Sequence, residues 1–192
     1  MRPDRLIAFT DGVIAILITI LVLELRPPAG GHFSDILDEK GRLLAYLLTF
    51  VFVAIYWVNH HHLFQVVHRI DGRVLWANIV LLFCLSLTPV ATDWLGDTGV
   101  KNGPAAAYAL ALIGCAVAYT LLTLSLLAVH ESESQLHRAI GDDRKGKVSL
   151  GLYILAFILA WVVPWISVGI FVTVALIWII PDRRITRTFD SA

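Results

Sequence analysis

Long runs without a charged residue alternate with short polar stretches along this chain. Runs of this kind, with no Asp, Glu, Lys or Arg, cover residues 43–59, 74–92, 103–129 and 148–181. A membrane-spanning helix needs about 20 apolar residues, so each of the first three runs fits one span. A further apolar stretch opens the chain at residues 5–25, although Asp11 interrupts it. The pattern predicts an all-α, polytopic membrane protein.

The last run is too long for one helix and short for two. Pro164 lies near its centre, and proline breaks or kinks a helix because it removes a backbone donor. We therefore predict a tight hairpin of two short helices, with one long kinked helix as the alternative. The hairpin brings the chain, a single domain over residues 1–192, to six predicted spans: 6–25, 43–63, 74–95, 105–129, 148–163 and 165–180.

Charge sets the expected orientation. The chain is 58% hydrophobic and 16% charged, with a net charge of zero, so its composition indicates a lipid bilayer and no nucleic acid as its surroundings. With both termini in the cytoplasm, the outer segments hold only Arg26, Lys40, Arg42 and Lys101, and the inner segments hold the remaining Lys and Arg residues. This positive-inside bias predicts a multi-pass protein of the cell (inner) membrane with cytoplasmic termini.

The connections leave no room for a soluble catalytic domain, and no cofactor motif is present, so the sequence does not indicate an enzyme. The longest inner connection, residues 130–147, is long enough for a short surface helix. Asp11 and Glu24 argue against reading the first span as a cleavable signal peptide. Cys84 and Cys115 fall within predicted spans, where packed thiols are expected.

Helical geometry divides the first span into faces. Each residue turns a helix by about 100°, so Gly12, Ile16, Thr19 and Leu23 share one narrow stripe. Asp11 is expected roughly opposite the stripe, pointing back into its own subunit. The stripe is therefore predicted to pack against, or to line, something axial.

A carboxylate inside a membrane needs polar partners at the same depth. The second span ends with Trp57 and His60, and the third span begins with Asn78 about one turn inside. A structural clasp that fixes the first helix is the main interpretation, and a proton relay between Asp11 and His60 is the sharper alternative.

The histidine run at residues 60–62 invites a metal hypothesis. Consecutive helical residues point about 100° apart, so three in a row cannot converge on one ion, and no metal site is predicted. Histidine titrates near neutral pH, which leaves a pH-sensitive cluster open.

A short motif gives the chain a family resemblance. Arg5, three residues, and then Phe9, Thr10 and Asp11 open the first helix, and YWVNHH and NIVLLFCLSLTP follow in the second and third spans. These segments resemble the bacterial members of the transmembrane protein 175 family of potassium channels. Thr10 stands where the family usually has Ser, which keeps the hydroxyl.

The resemblance implies a homotetramer in which copies of the first helix surround a central pore. It places the narrowest hydrophobic ring at Ile16, a threonine ring at Thr19 and a further apolar ring at Leu23, with K+ passing transiently near Ile16 and Thr19. The motif residues are implied to belong to a structural polar network, whose predicted members are Arg5, Phe9, Thr10, Asp11, Trp57, His60 and Asn78. The expected activity is moderately potassium-selective cation conduction, because the sequence has no carbonyl-cage filter motif.

Three alternatives remain at this point. The stripe of Gly12, Ile16, Thr19 and Leu23 fits a buried helix–helix seam equally well. A small proton- or cation-coupled secondary transporter could use Asp11 and His60, and a membrane-embedded enzyme would need converging polar groups that the histidines do not supply. Acidic outer-loop residues could also gather cations at a pore mouth: Asp35, Asp38, Glu39, Asp93 and Asp97.

Overall fold

The regular structure is helical throughout the part of the chain that the computed structural model describes, residues 2–28, 30–131, 134–140 and 143–179. The α-helices are α1 (Asp4–Leu23), α2 (Lys40–Gln65), α3 (Gly72–Ser86), α4 (Thr88–Thr98), α5 (Asn102–Val129), α6 (Gln135–Ile140), α7 (Arg144–Leu159) and α8 (Pro164–Ile179), and a 3-10 helix covers Phe33–Glu39. The prediction of an all-helical chain is confirmed.

Several helices are long and apolar enough to cross a bilayer. Within the described residues these stretches are Asp4–Leu23, Phe33–Gln65, Gly72–Thr98 and Asn102–Val129. Helices α7 and α8 have 16 residues each, which corresponds to about 24 Å of rise, slightly less than the ~30 Å hydrocarbon core. The chain is therefore a multi-pass membrane protein, and the count of six crossings stays a prediction.

The third apolar stretch, Gly72–Thr98, is long enough for one span, but its helical hydrogen bonding is interrupted. It divides at Leu87 into α3 and α4, because Pro89 has no N–H to continue the backbone ladder. The Thr88 hydroxyl donates instead to the Leu85 carbonyl oxygen at 2.8 Å. Helix α4 then continues to Thr98, three residues beyond the predicted end of the third span at residue 95.

Helices α7 and α8 form an antiparallel hairpin. Trp178 Nε1, near the end of α8, donates to Ser149 Oγ near the start of α7 at 2.8 Å. Ser167 Oγ donates to the Ala156 carbonyl oxygen at 2.7 Å, nearer the turn. Pro164 is the first residue of α8, where a missing N–H costs nothing, so residues 148–179 form the predicted pair of helices and not one long kinked helix.

Two apolar clusters hold the helices together, and α2 and α5 contribute to both. One cluster joins α1, α2, α3 and α5 around Leu17, Val53 and Leu122. The other joins α2, α4, α5, α7 and α8 around Tyr108 and Phe171. Helix α1 packs at the edge of the first cluster, which leaves one of its faces uncovered.

The long connection before α7 contains the short helix α6, whose Leu136 is fully buried. Helix α7 then begins with a side-chain cap, because Asp143 Oδ1 accepts a hydrogen bond from the Gly146 backbone N–H at 2.9 Å. A capping carboxylate satisfies one of the free donors at a helix start. This hydrogen bond holds Asp143 in place at the start of α7.

The contact between α2 and α4 depends on Gly96. A Cβ added at Gly96 would lie 2.9 Å from the backbone Cα of Arg42, which is backbone that cannot move aside cheaply. We expect Gly96→Val to lower the free energy of unfolding by about 1–3 kcal/mol, the usual cost of overpacking. Thermal unfolding of the purified protein in detergent measures the change.

Gly151→Val is the matched control, because a Cβ at Gly151 meets no atom within 4 Å. The control is expected to unfold at nearly the wild-type temperature. An equally small change in Gly96→Val would show that α4 can move away from α2 without loss.

Candidate ion pathway and its supporting contacts

Helix α1 has one buried and one uncovered face in the single chain. Ile14, Leu17 and Leu21 are 3%, 3% and 1% exposed, whereas Ile16 and Leu23 are 60% and 80% exposed. Gly12 and Thr19 lie on the uncovered face with them. The structure thus brings the four stripe residues together on a surface that no described part of the chain covers.

The uncovered face combines apolar side chains with one oriented hydroxyl. Thr19 Oγ1 donates to the Ile16 carbonyl oxygen at 2.7 Å. Since a hydroxyl has one proton and two lone pairs, the Thr19 oxygen keeps acceptor capacity for a cation beside the helix. Ile16 and Leu23 stand one turn to either side of it and offer only hydrocarbon.

Behind this face, a buried chain of polar side chains joins three helices. Asn78 Nδ2 on α3 donates to Thr10 Oγ1 on α1 at 2.8 Å, and His60 Nε2 on α2 donates to Asn78 Oδ1 at 3.0 Å. Thr10, His60 and Asn78 are at most 1% exposed. The His60 ring also stacks on Phe64 with centroids 4.4 Å apart. Thr10 lies nearly opposite the stripe, so this network holds α1 from behind.

Asp11 has a different partner and a different environment from Thr10. Trp57 Nε1 on α2 donates to Asp11 Oδ1 at 2.9 Å, and the carboxylate is exposed in the single chain. The expectation that Asp11 points roughly opposite the stripe is therefore wrong: at 100° per residue that position belongs to Thr10, and Asp11 sits at the flank. Asp11 and His60 do not contact each other through a hydrogen bond in the described chain.

The remaining predicted network residues take no part in these contacts. Phe9 is 58% exposed and Arg5 is also exposed, with no ion pair to any described residue.

In the histidine run, His60 faces the interior, while the His61 ring stacks on Trp57 with centroids 5.7 Å apart and accepts a hydrogen bond from Gln65 Nε2 at 2.9 Å. Over the described residues, no three His, Cys, Asp or Glu side chains converge as metal ligands would.

A second group of buried hydroxyls was not expected from the sequence. Thr49 Oγ1 on α2 lies 2.6 Å from Thr92 Oγ1 on α4 and 2.8 Å from the Tyr108 hydroxyl on α5. Each hydroxyl also lies within hydrogen-bonding distance of a carbonyl oxygen of its own helix, 3.0 Å from that of Ala45 for Thr49 and 2.7 Å from that of Thr88 for Thr92. Because threonines in apolar helices commonly make only that local bond, the sequence carried no signal for the contact between helices.

At the end of the bundle where α1 ends and α2 begins, the surface is acidic, but its charge is partly neutralised. Arg42 forms an ion pair with Glu39 at 2.8 Å and a second one with Asp97. Glu24 follows the end of α1, where burial, and next the neighbouring Asp93 carboxylate, raise the pKa of its side chain. The sequence placed Arg42 and these carboxylates on the same side of the membrane but carried no signal that they form ion pairs.

These features define a multi-pass membrane protein that presents an amphipathic face of its first helix. Residues 5–89 match the model of the family described as the endosomal/lysosomal potassium channel TMEM175. This segment contains α1, α2, α3 and every residue of the polar network.

Full-length relatives and a solved structure agree with the family match. The chain is 44% identical over 191 residues to a potassium channel from a Chryseobacterium species, with 100% of each chain covered. It is 30% identical over 189 residues to a potassium channel from Chamaesiphon minutus, covering 91% of this chain and 92% of the other. The crystal structure of a lysosomal potassium-selective channel TMEM175 homolog from Chamaesiphon minutus matches with a TM-score of 0.76 at 29% identity, covering 91% and 95%. The chain belongs to the TMEM175 family, which is a family of ion channels and not of enzymes.

Proposed function

We propose that this chain is one subunit of a homotetrameric, moderately potassium-selective cation channel. The relatives of similar length are named potassium channels. The observation that carries the proposal is the uncovered face of α1, on which Ile16 is 60% and Leu23 is 80% exposed while the opposite face is packed. With copies of α1 around an axis, the Ile16 side chains form one ring and the Leu23 side chains form another. Gly12 and Thr19 line the same pathway, through which K+ passes.

Conduction in this proposal is controlled by hydration. A narrow ring of isoleucine side chains excludes water and blocks the path by dewetting, and a wider ring admits a partly hydrated ion. Potassium gives up its water more easily than sodium, so the Ile16 ring favours potassium. The outward lone pairs of Thr19 replace part of the lost hydration, and the absence of a full oxygen cage keeps the selectivity moderate.

The polar contacts behind α1 support the ring geometry in this proposal. Thr10 lies in the second turn of α1. A hydrogen bond of 2.8 Å connects it to Asn78 on α3, and one of 3.0 Å connects Asn78 to His60 on α2. The Trp57–Asp11 bond fixes the flank. A helix anchored on two sides holds its side chains at a defined distance from a central axis, which a hydrophobic constriction requires.

The orientation in the membrane is part of the proposal. Arg5, Arg69, Arg73, Arg144, Lys145 and Lys147 lie at the end of the bundle where α1, α3 and α7 begin, and we name this the basic end. Cationic residues remain in the cytoplasm during insertion, so we place the basic end and both termini there, in the cell membrane.

Cation flux into liposomes that contain the purified protein tests the proposal. A potassium gradient should dissipate faster than an equal sodium gradient, without any counter-transported ion. Flux that appears only with a proton gradient would replace the channel by the transporter that uses Asp11 and His60. Asp11→Asn then separates the two roles, since Asn keeps an oxygen acceptor for Trp57 but cannot carry a charge or a proton.

Thr19→Ala should lower the preference for potassium over sodium by roughly fivefold, which corresponds to about 1 kcal/mol in total, because the ring loses its oxygen ligands. The reversal potential in mixed potassium and sodium measures this preference. Thr173→Ala on α8 is the matched control, since Thr173 makes the same type of bond, to the Gly169 carbonyl oxygen at 2.7 Å, on another exposed face. An unchanged reversal potential in Thr19→Ala would remove Thr19 from the pathway.

A further inference from the structure

A small cavity opens at the basic end of the bundle, on the opposite side of α2 from Trp57. Its volume is about 40 Å³, and α2, α5, α7 and α8 line it with Phe52, Tyr56, Tyr119, Asp143, Tyr153 and Trp178 among others. No described residue of α1 lines it. A single water needs at least 10–15 Å³ of cavity volume, so this cavity has room for about three heavy atoms. We name it the aromatic cavity.

Aromatic rings form most of its walls and hold one another in place. The rings of Phe52 and Tyr153 meet edge to face with centroids 6.2 Å apart, and those of Tyr56 and Tyr119 do so at 6.0 Å. Trp178 is fixed by its hydrogen bond to Ser149 Oγ at 2.8 Å. The cavity therefore presents preformed ring faces and edges, which need little reorganisation to receive a ligand.

The side-chain nitrogens of the cavity lining are already bonded, since Asn59 Nδ2 donates to the Ile55 carbonyl oxygen and Trp178 Nε1 donates to Ser149 Oγ. The remaining polar groups are oxygens. The hydroxyl groups of Tyr56, Tyr119 and Tyr153 hydrogen-bond no other residue in the described part of the chain, in contrast to the Tyr108 hydroxyl, which bonds Thr49. Asp143 adds a carboxylate at the same cavity, held by its cap on Gly146. Three hydroxyl oxygens, one negative charge and several π faces all favour a cation with N–H donors.

The chain itself places an ammonium group against this wall. Lys145 Nζ lies 5.9 Å from the centroid of the Trp178 ring, within the range of a cation–π interaction. Trp178 thus already carries a primary ammonium contact, and Lys145 shows which ligand chemistry its π system accepts.

We propose that the aromatic cavity is a binding site for a primary alkylammonium group. The three N–H donors of the ammonium group match the three tyrosine hydroxyl oxygens, the Asp143 carboxylate balances its charge, and one or two methylene groups lie against the rings. A quaternary ammonium group has no N–H donor for the tyrosine hydroxyl oxygens. A bare potassium ion leaves the aromatic carbon walls without a partner. The site is separate from the α1 face and does not depend on the proposed conduction.

Two sources share this chemistry: a free alkylamine, and the headgroup of an aminophospholipid, whose ammonium end has one nitrogen and two carbons. Ethylammonium has the same three heavy atoms and is the probe for both. Calorimetric titration of the purified protein in detergent with ethylammonium chloride is the first measurement. Potassium chloride and tetramethylammonium chloride at equal ionic strength are the comparison salts. We expect saturable binding of ethylammonium alone.

Asp143→Asn is the informative variant. Asparagine caps a helix as well as aspartate does, so α7 keeps its start while the cavity loses its charge, and binding should weaken at least tenfold. Tyr119→Phe removes one hydroxyl oxygen without changing the ring, and it should weaken binding several-fold. Tyr46→Phe, on α2 outside the cavity, should bind like the wild type. This set keeps the test valid if any one variant folds poorly.

Native mass spectrometry distinguishes the sources. Protein purified with equal amounts of phosphatidylethanolamine and phosphatidylcholine should retain the former and lose it in Asp143→Asn if the headgroup is the ligand. Retention of neither lipid, together with ethylammonium binding, assigns the site to a free amine. Ethylammonium binding no stronger than that of the comparison salts, or unchanged in both Asp143→Asn and Tyr119→Phe, overturns the proposal and leaves a water-filled cavity.

Discussion

Ile16→Asn should raise cation flux roughly tenfold and remove most of the preference for potassium over sodium. In the proposed pathway the Ile16 ring is a hydrocarbon constriction, and its barrier is the cost of drawing an ion out of water. An asparagine side chain has the same number of heavy atoms as isoleucine, but a ring of asparagines supplies amide oxygens and admits water. A barrier lowered by about 1.4 kcal/mol is enough for a tenfold gain in rate.

The preference should fall for the same reason. Selectivity by dehydration exists only while the ion has to lose water. A hydrated ring therefore lets potassium and sodium pass at nearly equal rates. Flux into liposomes under separate potassium and sodium gradients gives both quantities from one preparation. The two changes should appear together, because they share one physical cause.

Ile158→Asn is the matched control for this experiment. Ile158 on α7 is 57% exposed, close to the 60% of Ile16, but it lies outside α1. The control carries the same chemical change on a surface outside the proposed pathway, so flux and preference should match the wild type. If Ile16→Asn behaves like this control, the constriction is elsewhere.

Spacing along the sequence predicted most of the architecture that matters here. The 100° turn of a helix was sufficient to group Gly12, Ile16, Thr19 and Leu23, and the structure leaves that group uncovered as one face. The hairpin at the C-terminal end followed from Pro164 and the length of the apolar run. Such features are local or periodic, so a single sequence carries them.

The errors have a physical pattern as well. The break at Leu87 was missed because hydropathy is continuous across it, and because the Thr88 hydroxyl replaces the bond that Pro89 cannot make. Asp11 was expected opposite the stripe, but it lies about 100° from Thr10 on α1, so it reaches Trp57 at the flank while Thr10 takes the buried position beside Asn78. Pairing between distant residues, such as Thr49 with Tyr108 or Arg42 with Asp97, requires knowledge of which helices are neighbours.

We expect the largest loss of stability when the hydrogen-bonded network of Thr10, Asn78 and His60 is broken. Asn78→Leu leaves His60 Nε2 and Thr10 Oγ1 buried without their partner, since both are bonded to Asn78 and lie at most 1% exposed. Each of the two unsatisfied buried groups costs about 1–3 kcal/mol, so the expected loss in the free energy of unfolding is about 2–6 kcal/mol. Thermal unfolding in detergent measures it. Thr173→Val, which removes an exposed hydroxyl bonded within its own helix, should cost little.

The double variant Thr10→Val/Asn78→Leu decides whether these residues act as one clasp. With Asn78 already replaced, Thr10→Val removes a stranded polar atom, and the second substitution should therefore restore about 1 kcal/mol or more. Independent residues would give losses that simply add. Restored stability accompanied by restored potassium preference would mean that the network acts only by holding α1 in place, because neither valine nor leucine can carry a proton. Restored stability without restored preference would instead require a chemical role for the polar groups themselves, and His60 would then be the residue to replace next.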